Sequence, residues 1–207
     1  MTRKIFLIGF NKTASSTLHY LFLSNSLRSV QNKVWNLDKY DCFTDNELDG
    51  MCNFNTYSNQ FPGAIFILNT RSLDKWLISR LHHGFRSKQT WAWPPVLDKV
   101  KRWIAKRETH YNNVLNFFKD KPHKLIVVNI EKPLWLEFLC GHLNLSIPTT
   151  TSDRNVAPEF DDINIKTLIH DVVTNAFRDL NYTELQQSAC FTPEQLELVK
   201  LYKNNFF

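Results

Sequence analysis

The chain has 207 residues, of which 43% are hydrophobic and 22% charged, the balance of an ordinary globular protein. Its 5 glycines and 8 prolines are too few for a collagen-like or low-complexity chain. The 25 basic and 20 acidic residues give a net charge of +5, which suits an anionic ligand; without a recognised motif it does not predict nucleic-acid binding. We expect a single domain over 1–207, with a helical C-terminal part from about residue 160.

The sequence gives no sign of secretion, membrane insertion or a metal centre. The apolar run 5–10 is too short for the core of a signal peptide, and no stretch is long and apolar enough for a transmembrane helix. The cysteines Cys42, Cys52, Cys140 and Cys190 form neither a C-x-x-C pair nor a cluster with histidine. We therefore expect a cytoplasmic protein whose chemistry uses no metal.

Short apolar runs predict buried strands of a parallel sheet at Lys4–Gly9, Ala64–Thr70 and Lys124–Ile130. Amphipathic segments predict helices at Ser15–Ser26 (capped by hydroxyls), Ser72 to about His83, about Pro95 to Lys119, Trp135–Leu143, Ile163–Leu180 and Pro193–Asn204. Strands separated by helices predict an α/β fold, a three-layer α/β/α sandwich with a central parallel sheet. In such a sheet ligands bind at the carboxyl ends of the strands.

The segment after the first predicted strand has the composition of an anion-binding loop. It contains Lys12 and four hydroxyl residues, and a helix is predicted to begin there. Backbone N–H groups, the helix dipole and the lysine all favour a phosphate or sulfate. The nucleotide-triphosphate pattern G-x-x-x-x-G-K-[ST] is not met, because Gly9 precedes Lys12 by only three positions, and no acidic strand end is evident for magnesium. The alternative is a Ser/Thr-rich helix cap that binds no ligand.

A second candidate anion site follows the second predicted strand. Arg71 ends that strand, and Ser79 lies eight residues further along, inside the next helix. Ser72 and Ser79 lie on the same helix face, about 10 Å apart along the axis. Arg71 and Ser79 are therefore placed to hold one phosphate between them.

In this order, the two motifs resemble those of the sulfotransferases that use 3′-phosphoadenosine 5′-phosphosulfate (PAPS). Segment 10–18 is similar to the loop that holds the 5′-phosphosulfate, and Arg71 with Ser79 is similar to the 3′-phosphate site. The resemblance covers about residues 4–156 and includes 40–45, 61–68, 110–114, 125–130, 135–140 and Arg154-Asn155. Ala14 stands where the family usually has glycine. The resemblance implies the P-loop NTPase-like sulfotransferase fold of the small bacterial-type members.

The resemblance also implies roles for individual residues. The cofactor-binding residues would be Asn11, Lys12, Thr13, Ala14, Ser15, Ser16, Thr17, Arg71, Ser79 and Asn155. Lys12 would act in catalysis by neutralising charge on the bridging oxygen, and Asp45 is our first choice for the general base. No metal would take part.

Three further residues are candidates for binding the acceptor, a small molecule or a carbohydrate. They are His19, His82 and Arg86. Arg86 belongs to the stretch Phe85–Trp93, which predicts either a lid over the acceptor or a surface loop anchored by its tryptophans. The alternatives without a functional role are a packing role for His19, a solvated helix end for His82 and an exposed turn or helix cap for Asp45.

Two other functions compete with the sulfotransferase hypothesis. One is a small-molecule kinase with a degenerate phosphate loop, against which the missing G-K pair and the Arg71…Ser79 pairing argue. The other is a nucleotide-binding or interaction module that kept the fold but lost transfer, which only Ala14 supports.

Overall fold

A computed structural model describes residues 3–31, 36–45, 53–87, 95–148 and 163–202 of the chain. Within these ranges the protein has a five-stranded, all-parallel sheet with strand order β2-β3-β1-β4-β5. The strands are β1 (Ile5–Leu7), β2 (Ser29–Gln31), β3 (Cys42–Thr44), β4 (Ile65–Thr70) and β5 (Leu125–Asn129). The fold is α/β with a parallel sheet, which confirms that part of the prediction.

Eight helices accompany the sheet in the part of the chain that the structure describes. They are α1 (Ser15–Ser24), α2 (Phe54–Gln60), α3 (Leu73–Arg86), α4 (Pro95–Phe118), α5 (Trp135–Leu143), α6 (Ile163–Asp179), α7 (Glu184–Gln187) and α8 (Pro193–Val199). Short 3₁₀ turns lie at Pro122–Lys124 and Lys200–Tyr202. No helix in these ranges is long and apolar enough to cross a membrane.

Alternate residues of each central strand pack against helices on opposite faces of the sheet. Ile5 and Leu7 of β1 belong to one apolar cluster, which also includes residues of α1 and α5. Phe6 and Ile8 belong to a second cluster, with residues of α3, α4 and α6. Both faces are thus buried, which explains why the strands are continuous apolar runs. The arrangement is compatible with a three-layer α/β/α sandwich.

The sequence analysis missed two strands and two helices. Strands β2 and β3 contain only three residues each, so they give no periodic signal, and their place in the sheet depends on pairing with distant segments. The short helices α2 and α7 were missed for the same reason. Helix α3 also extends to Arg86, so Phe85 and Arg86 are helical rather than part of a loop.

The helix caps differ from those predicted. Helix α1 has Ala14 at its N-cap position, and alanine has no side-chain acceptor that could cap the helix. The hydroxyl of the preceding residue, Thr13, donates to the Phe10 carbonyl. Ser72 does occupy the N-cap position of α3, but its hydroxyl makes no capping bond. The Ser72 N–H is bound instead by Glu131, whose Oε2 accepts it at 2.9 Å. The hydroxyls in these segments are therefore not explained as helix caps.

The strand order places a topological switch point between β1 and β4. From β1 the chain passes through α1 to β2 and β3 on one side, and then crosses to β4 on the other side. The helices that follow β1 and β4 pack on opposite faces of the sheet, so the loops after these two strands diverge. A crevice of this kind, at the carboxyl ends of the strands, is where open α/β sheets bind ligands.

His110 couples the stability of this core to pH. Its Nε2 donates to the Ile8 carbonyl at 2.6 Å, and its ring packs edge-on against Phe10. Burial lowers the pKa of the His110 imidazole, because the charged form loses its hydration. In the unfolded chain the imidazole therefore binds a proton near pH 6.5, whereas in the folded state it binds one only at lower pH. The free energy of unfolding should consequently fall as the pH drops below about 6.5.

The variant His110→Gln keeps an N–H donor but does not titrate, so urea denaturation between pH 7 and 5 should give a shallower dependence on pH. Some dependence should remain, because burial also lowers the pKa values of His19 and His83. The control is His170→Gln, the same change at an exposed position on α6. Equal slopes for the His110 variant and the unmodified protein would remove His110 from this account.

Candidate anion site at the carboxyl edge of the sheet

The loop between β1 and α1 contains two residues in the left-handed backbone conformation. Lys12 and Ala14 both have a φ of 65°. For a residue with a side chain this conformation costs about 1–2 kcal/mol, and such strain is typical of loops that bind ligands. Ala14 stands where the sulfotransferases that the sequence resembles usually have glycine, and glycine would adopt this backbone conformation with less strain.

A buried asparagine from β4 fixes the shape of this loop. The Asn69 side chain accepts from the Gly9 N–H at 3.2 Å and donates to the carbonyl and the hydroxyl of Thr13 at 2.6 and 2.7 Å. A Cβ at position 9 would lie 2.1 Å from the Asn69 carbonyl oxygen, so only glycine fits there. One side chain thus holds both ends of the loop against the neighbouring strand.

The N-terminus of α1 lies directly after the Lys12 loop. No side chain caps it, and its first turn contains no acidic residue. The first N–H groups of a helix lack partners within the helix, and the helix dipole adds positive potential at this end. With Lys12 just before the helix, the loop has the donors and the charge that bind a phosphate or sulfate group.

Arg71 approaches the same loop from the end of β4. Its Nη1 donates to the Lys12 carbonyl at 3.4 Å, and its side chain is 23% exposed. Arg71 Nε is buried without a hydrogen-bond partner among the residues that the structure describes, and so are Ser72 Oγ and Glu131 Oε1 beside it. Buried polar atoms are usually satisfied, and either a small shift that joins these groups or a bound water would complete the bonding here.

Glu131, which the sequence analysis did not single out, lies beside Arg71. It follows β5, and its Oε1 lies 3.6 Å from Arg71 Nη2 and 3.3 Å from Lys75 Nζ. Burial alone would raise the pKa of Glu131, but hydrogen bonds from Ser72 and Lys75 outweigh it, so the pKa is lowered. Glu131 is thus ionised and offsets part of the positive charge of Arg71. Its position after a predicted strand was the available signal.

Arg107 is a further residue of this site that the sequence analysis missed. It lies in the middle of α4 and is only 4% exposed. Its Nη2 donates to the Arg71 carbonyl at 2.5 Å and to the Cys190 carbonyl at 3.1 Å. Arg107 therefore fixes the backbone of Arg71 and ties it to the C-terminal part of the chain. Position 107 lies on the apolar stripe of α4, three residues after Ile104 and four before Tyr111, so the helical periodicity was an available signal that this arginine is buried.

Helix α3 binds the loop at Asn11 through two side chains. Trp76 Nε1 donates to the Asn11 carbonyl and Arg80 Nη1 donates to Asn11 Oδ1, each at 3.0 Å. The Arg80 guanidinium lies 4.4 Å from the ring centre of Trp103 on α4 and 5.4 Å from that of Trp76. Cation–π contacts of this kind fix Arg80 close to the loop.

Asp45 lies on the other side of the loop, directly after β3. The Ser15 hydroxyl donates to its Oδ2 at 3.1 Å, which places the carboxylate beside the first turn of α1. The expectation that no acidic residue ends a strand is therefore wrong, because β3 was not predicted as a strand. Asp45 itself has a φ of 54°.

One of the two adjacent histidines on α3, His83, is electrostatically coupled to this site. Burial lowers the pKa of His83, the Lys12 ammonium lowers it further, and Asp45 acts in the opposite direction. The guanidinium of Arg86, three residues further along α3, also lowers this pKa. His82 is half-buried on α3. The role of His82 in acceptor binding stays a prediction, and its neighbour His83 is coupled to Lys12 and Asp45.

The remaining predicted residues are only partly brought together. His19 Nδ1 lies 2.8 Å from the Ser29 hydroxyl at the amino end of β2, so His19 is directed away from the carboxyl edge. The Ser16 hydroxyl accepts from Gln31 Nε2 at 2.6 Å, and Thr17 is half-buried in α1. Ser79 is half-buried in α3, and its pairing with Arg71 stays a prediction. Asn155 and residues 88–93 of the predicted lid lie outside the described ranges.

Comparisons with known proteins do not assign this chain to a family. No protein-family model matches it, and no curated protein sequence is significantly similar to it. The functional argument therefore depends on the geometry of the site.

Proposed function

We propose that this chain is a sulfotransferase that moves a sulfuryl group from PAPS to a hydroxyl or amine acceptor. The observation that supports this best is the meeting of two basic elements at the switch point. The Lys12 loop follows β1 and Arg71 follows the adjacent strand β4, and Arg71 donates to the Lys12 carbonyl. A nucleotide with anionic groups at both its 5′ and 3′ positions needs two such elements side by side.

The residues at this edge fit the two anionic ends of PAPS. The uncapped N-terminus of α1 and Lys12 would bind the 5′-phosphosulfate. The partly exposed Arg71 guanidinium would bind the 3′-phosphate, with the nearby Ser72 hydroxyl as a second donor. Glu131 shares the Arg71 guanidinium, which has five N–H donors and can bind a phosphate as well as a carboxylate.

Bound PAPS supplies the sulfuryl group in an activated anhydride. The acceptor oxygen or nitrogen attacks the sulfur, the bond between sulfur and the bridging oxygen breaks, and the acceptor proton passes to the Asp45 carboxylate. Lys12 neutralises the charge that the bridging oxygen gains, and the Ser15 hydroxyl orients Asp45. The leaving group is adenosine 3′,5′-bisphosphate.

One observation favours a small-molecule kinase as the second candidate. Asp45 ends the strand next to β1 and accepts a hydrogen bond from Ser15 in the first turn of α1. An acidic strand end beside a hydroxyl of this turn is how P-loop enzymes hold Mg²⁺. The sulfotransferase hypothesis assigns the same carboxylate to proton transfer, so the response to Mg-ATP separates the two.

The variant Arg71→Ala tests the assignment of the 3′-phosphate site. We expect adenosine 3′,5′-bisphosphate to bind about tenfold more weakly, because a charge-assisted hydrogen bond contributes about 1.5–3 kcal/mol and partial exposure places the loss at the low end. Adenosine 5′-phosphosulfate, which lacks the 3′-phosphate, should bind the variant and the unmodified protein equally well. Isothermal titration calorimetry measures both affinities.

The matched control is Arg102→Ala, which removes the same charge from an exposed position on α4. It should leave both affinities unchanged. Equal weakening of the two ligands by Arg71→Ala would show that Arg71 supports the loop and does not recognise the 3′-phosphate.

A further inference from the structure

A cavity lies at the amino edge of the sheet, at the opposite end of the strands from the Lys12 loop. Its volume is about 520 Å³, within the range of small-molecule sites. The segments that lead into four of the five strands form its walls: Arg3 and Lys4 before β1, Arg28 before β2, residues 37–38 before β3 and residues 60–64 before β4. None of the residues discussed for the anion site lines it.

A buried carboxylate fixes two of the cations in this wall. Arg28 donates to both oxygens of Asp41, with Nε and Nη2 each at 2.8 Å. Lys4 Nζ lies 3.6 Å from the same carboxylate, and the Asp41 side chain is only 4% exposed. The Arg28 side chain is 56% exposed, so its outer edge is open to the cavity and to solvent. The bidentate pair thus orients a guanidinium before any ligand arrives.

Arg3 adds a third cation at the other side of the cavity. Its Nε donates to the Gly63 carbonyl at 3.3 Å, which leaves two terminal nitrogens beyond that bond. The three cations Arg3, Lys4 and Arg28 are opposed by two carboxylates, Asp41 behind the cavity wall and Asp38 in the lining. The cavity therefore has an excess of positive charge.

Apart from Gln60, the rest of the lining is apolar. Leu37, Phe61, Pro62 and Ala64 provide carbon surface. A Cβ added at Gly63 would meet nothing within 4 Å, so space adjoins the backbone there. Apolar walls with a few convergent charged groups are typical of sites for small organic ligands.

We propose that this cavity binds a small organic anion, a ring system that carries one carboxylate, sulfonate or phosphate group. The ring packs on Phe61 and its apolar neighbours, and the anionic group lies between the Arg3 and Arg28 guanidiniums. The site does not depend on the sulfotransferase proposal, because it shares no residue with the Lys12 loop.

The probe for the test is 8-anilinonaphthalene-1-sulfonate, an aromatic monoanion whose fluorescence rises in an apolar site. We expect saturable binding to one site on the folded protein at neutral pH. Adenosine 3′,5′-bisphosphate should not displace the probe, because it is expected at the other edge of the sheet. Displacement by that nucleotide, or no saturable binding, would overturn the proposal.

Variants at Gly63 and Arg3 locate the bound probe. Gly63→Leu places a side chain in the open space and should weaken probe binding at least tenfold. Arg3→Gln removes one cation without stranding a buried carboxylate and should weaken binding about fivefold. Arg102→Gln, the same charge change at an exposed position on α4, should have no effect.

Circular dichroism and the melting temperature establish that each variant is folded before its affinity is compared. If Gly63→Leu is not folded, Arg3→Gln and Arg102→Gln decide the question. A folded Gly63→Leu variant with unchanged affinity would overturn the proposal. So would equal losses for Arg3→Gln and Arg102→Gln, since binding would then follow overall charge and not this cavity.

Discussion

Replacing Gly9 by alanine is expected to lower the free energy of unfolding by about 3 kcal/mol, the upper end of the usual cost of overpacking. The new Cβ would lie 2.1 Å from the Asn69 carbonyl oxygen and 2.5 Å from Asn69 Oδ1. Relief requires β1 to move away from β4 or the buried Asn69 side chain to give up its bonds to Gly9 and Thr13. Urea denaturation measures the loss.

The matched control is Gly63→Ala, the same substitution where the new Cβ meets nothing within 4 Å. It should change the free energy of unfolding by less than about 1 kcal/mol, the difference in backbone entropy between the two residues. If Gly9→Ala is as stable as Gly63→Ala, the Gly9 loop and β4 are not in the close contact described above. The role of Asn69 in shaping the anion loop would then be lost.

Lys12→Ala should lower kcat by about a hundredfold or more, the scale found for removing one group that stabilises an oxyanion. The charge on the bridging oxygen is greater in the transition state than in bound PAPS, so Lys12 should contribute more to rate than to affinity. Binding of adenosine 3′,5′-bisphosphate should weaken less, because backbone donors and Arg71 remain. Hydrolysis of PAPS provides the rate until an acceptor is identified.

The control for Lys12 is Lys119→Ala, which removes a lysine from an exposed position just after α4, outside the site. Its kcat should stay close to that of the unmodified protein. A Lys12→Ala variant that keeps its rate and loses only affinity would show that Lys12 holds the nucleotide without acting on the bridging oxygen. The catalytic role would then be withdrawn.

The sequence predicted the parts of the fold that carry their own local signal. β1, β4 and β5 are apolar on both faces, and their runs stand out without knowledge of their neighbours. β2 and β3 contain three residues each, and only their pairing beside β1 makes them strands. Because β3 was missed, Asp45 was not recognised as an acidic strand end, and the kinase alternative was judged weaker than the structure makes it.

The same distinction applies to the candidate site. Lys12 and Arg71 follow strands that could be predicted from the sequence. The general rule that α/β sheets bind ligands at the carboxyl ends of their strands therefore predicted that these two residues lie close together. Glu131 and Arg107 act on Arg71 from segments 60 and 36 residues away in sequence. Local patterns place Arg107 on the buried face of α4 and Glu131 after a strand, but they do not show that both residues meet Arg71, because the packing of α4 and the end of β5 against β4 creates those contacts.

The central claim is that the two basic elements bind a nucleotide with 5′ and 3′ anionic groups, and a thermal-shift comparison tests it most directly. At a hundredfold excess over its dissociation constant, adenosine 3′,5′-bisphosphate should add about 2.7 kcal/mol of stability and raise the melting temperature by about 5 °C or more. Mg-ATP at the same concentration should give a much smaller shift. An equal or larger shift with Mg-ATP would favour a kinase, and no shift with either ligand would contradict the assignment of a nucleotide site to this edge of the sheet.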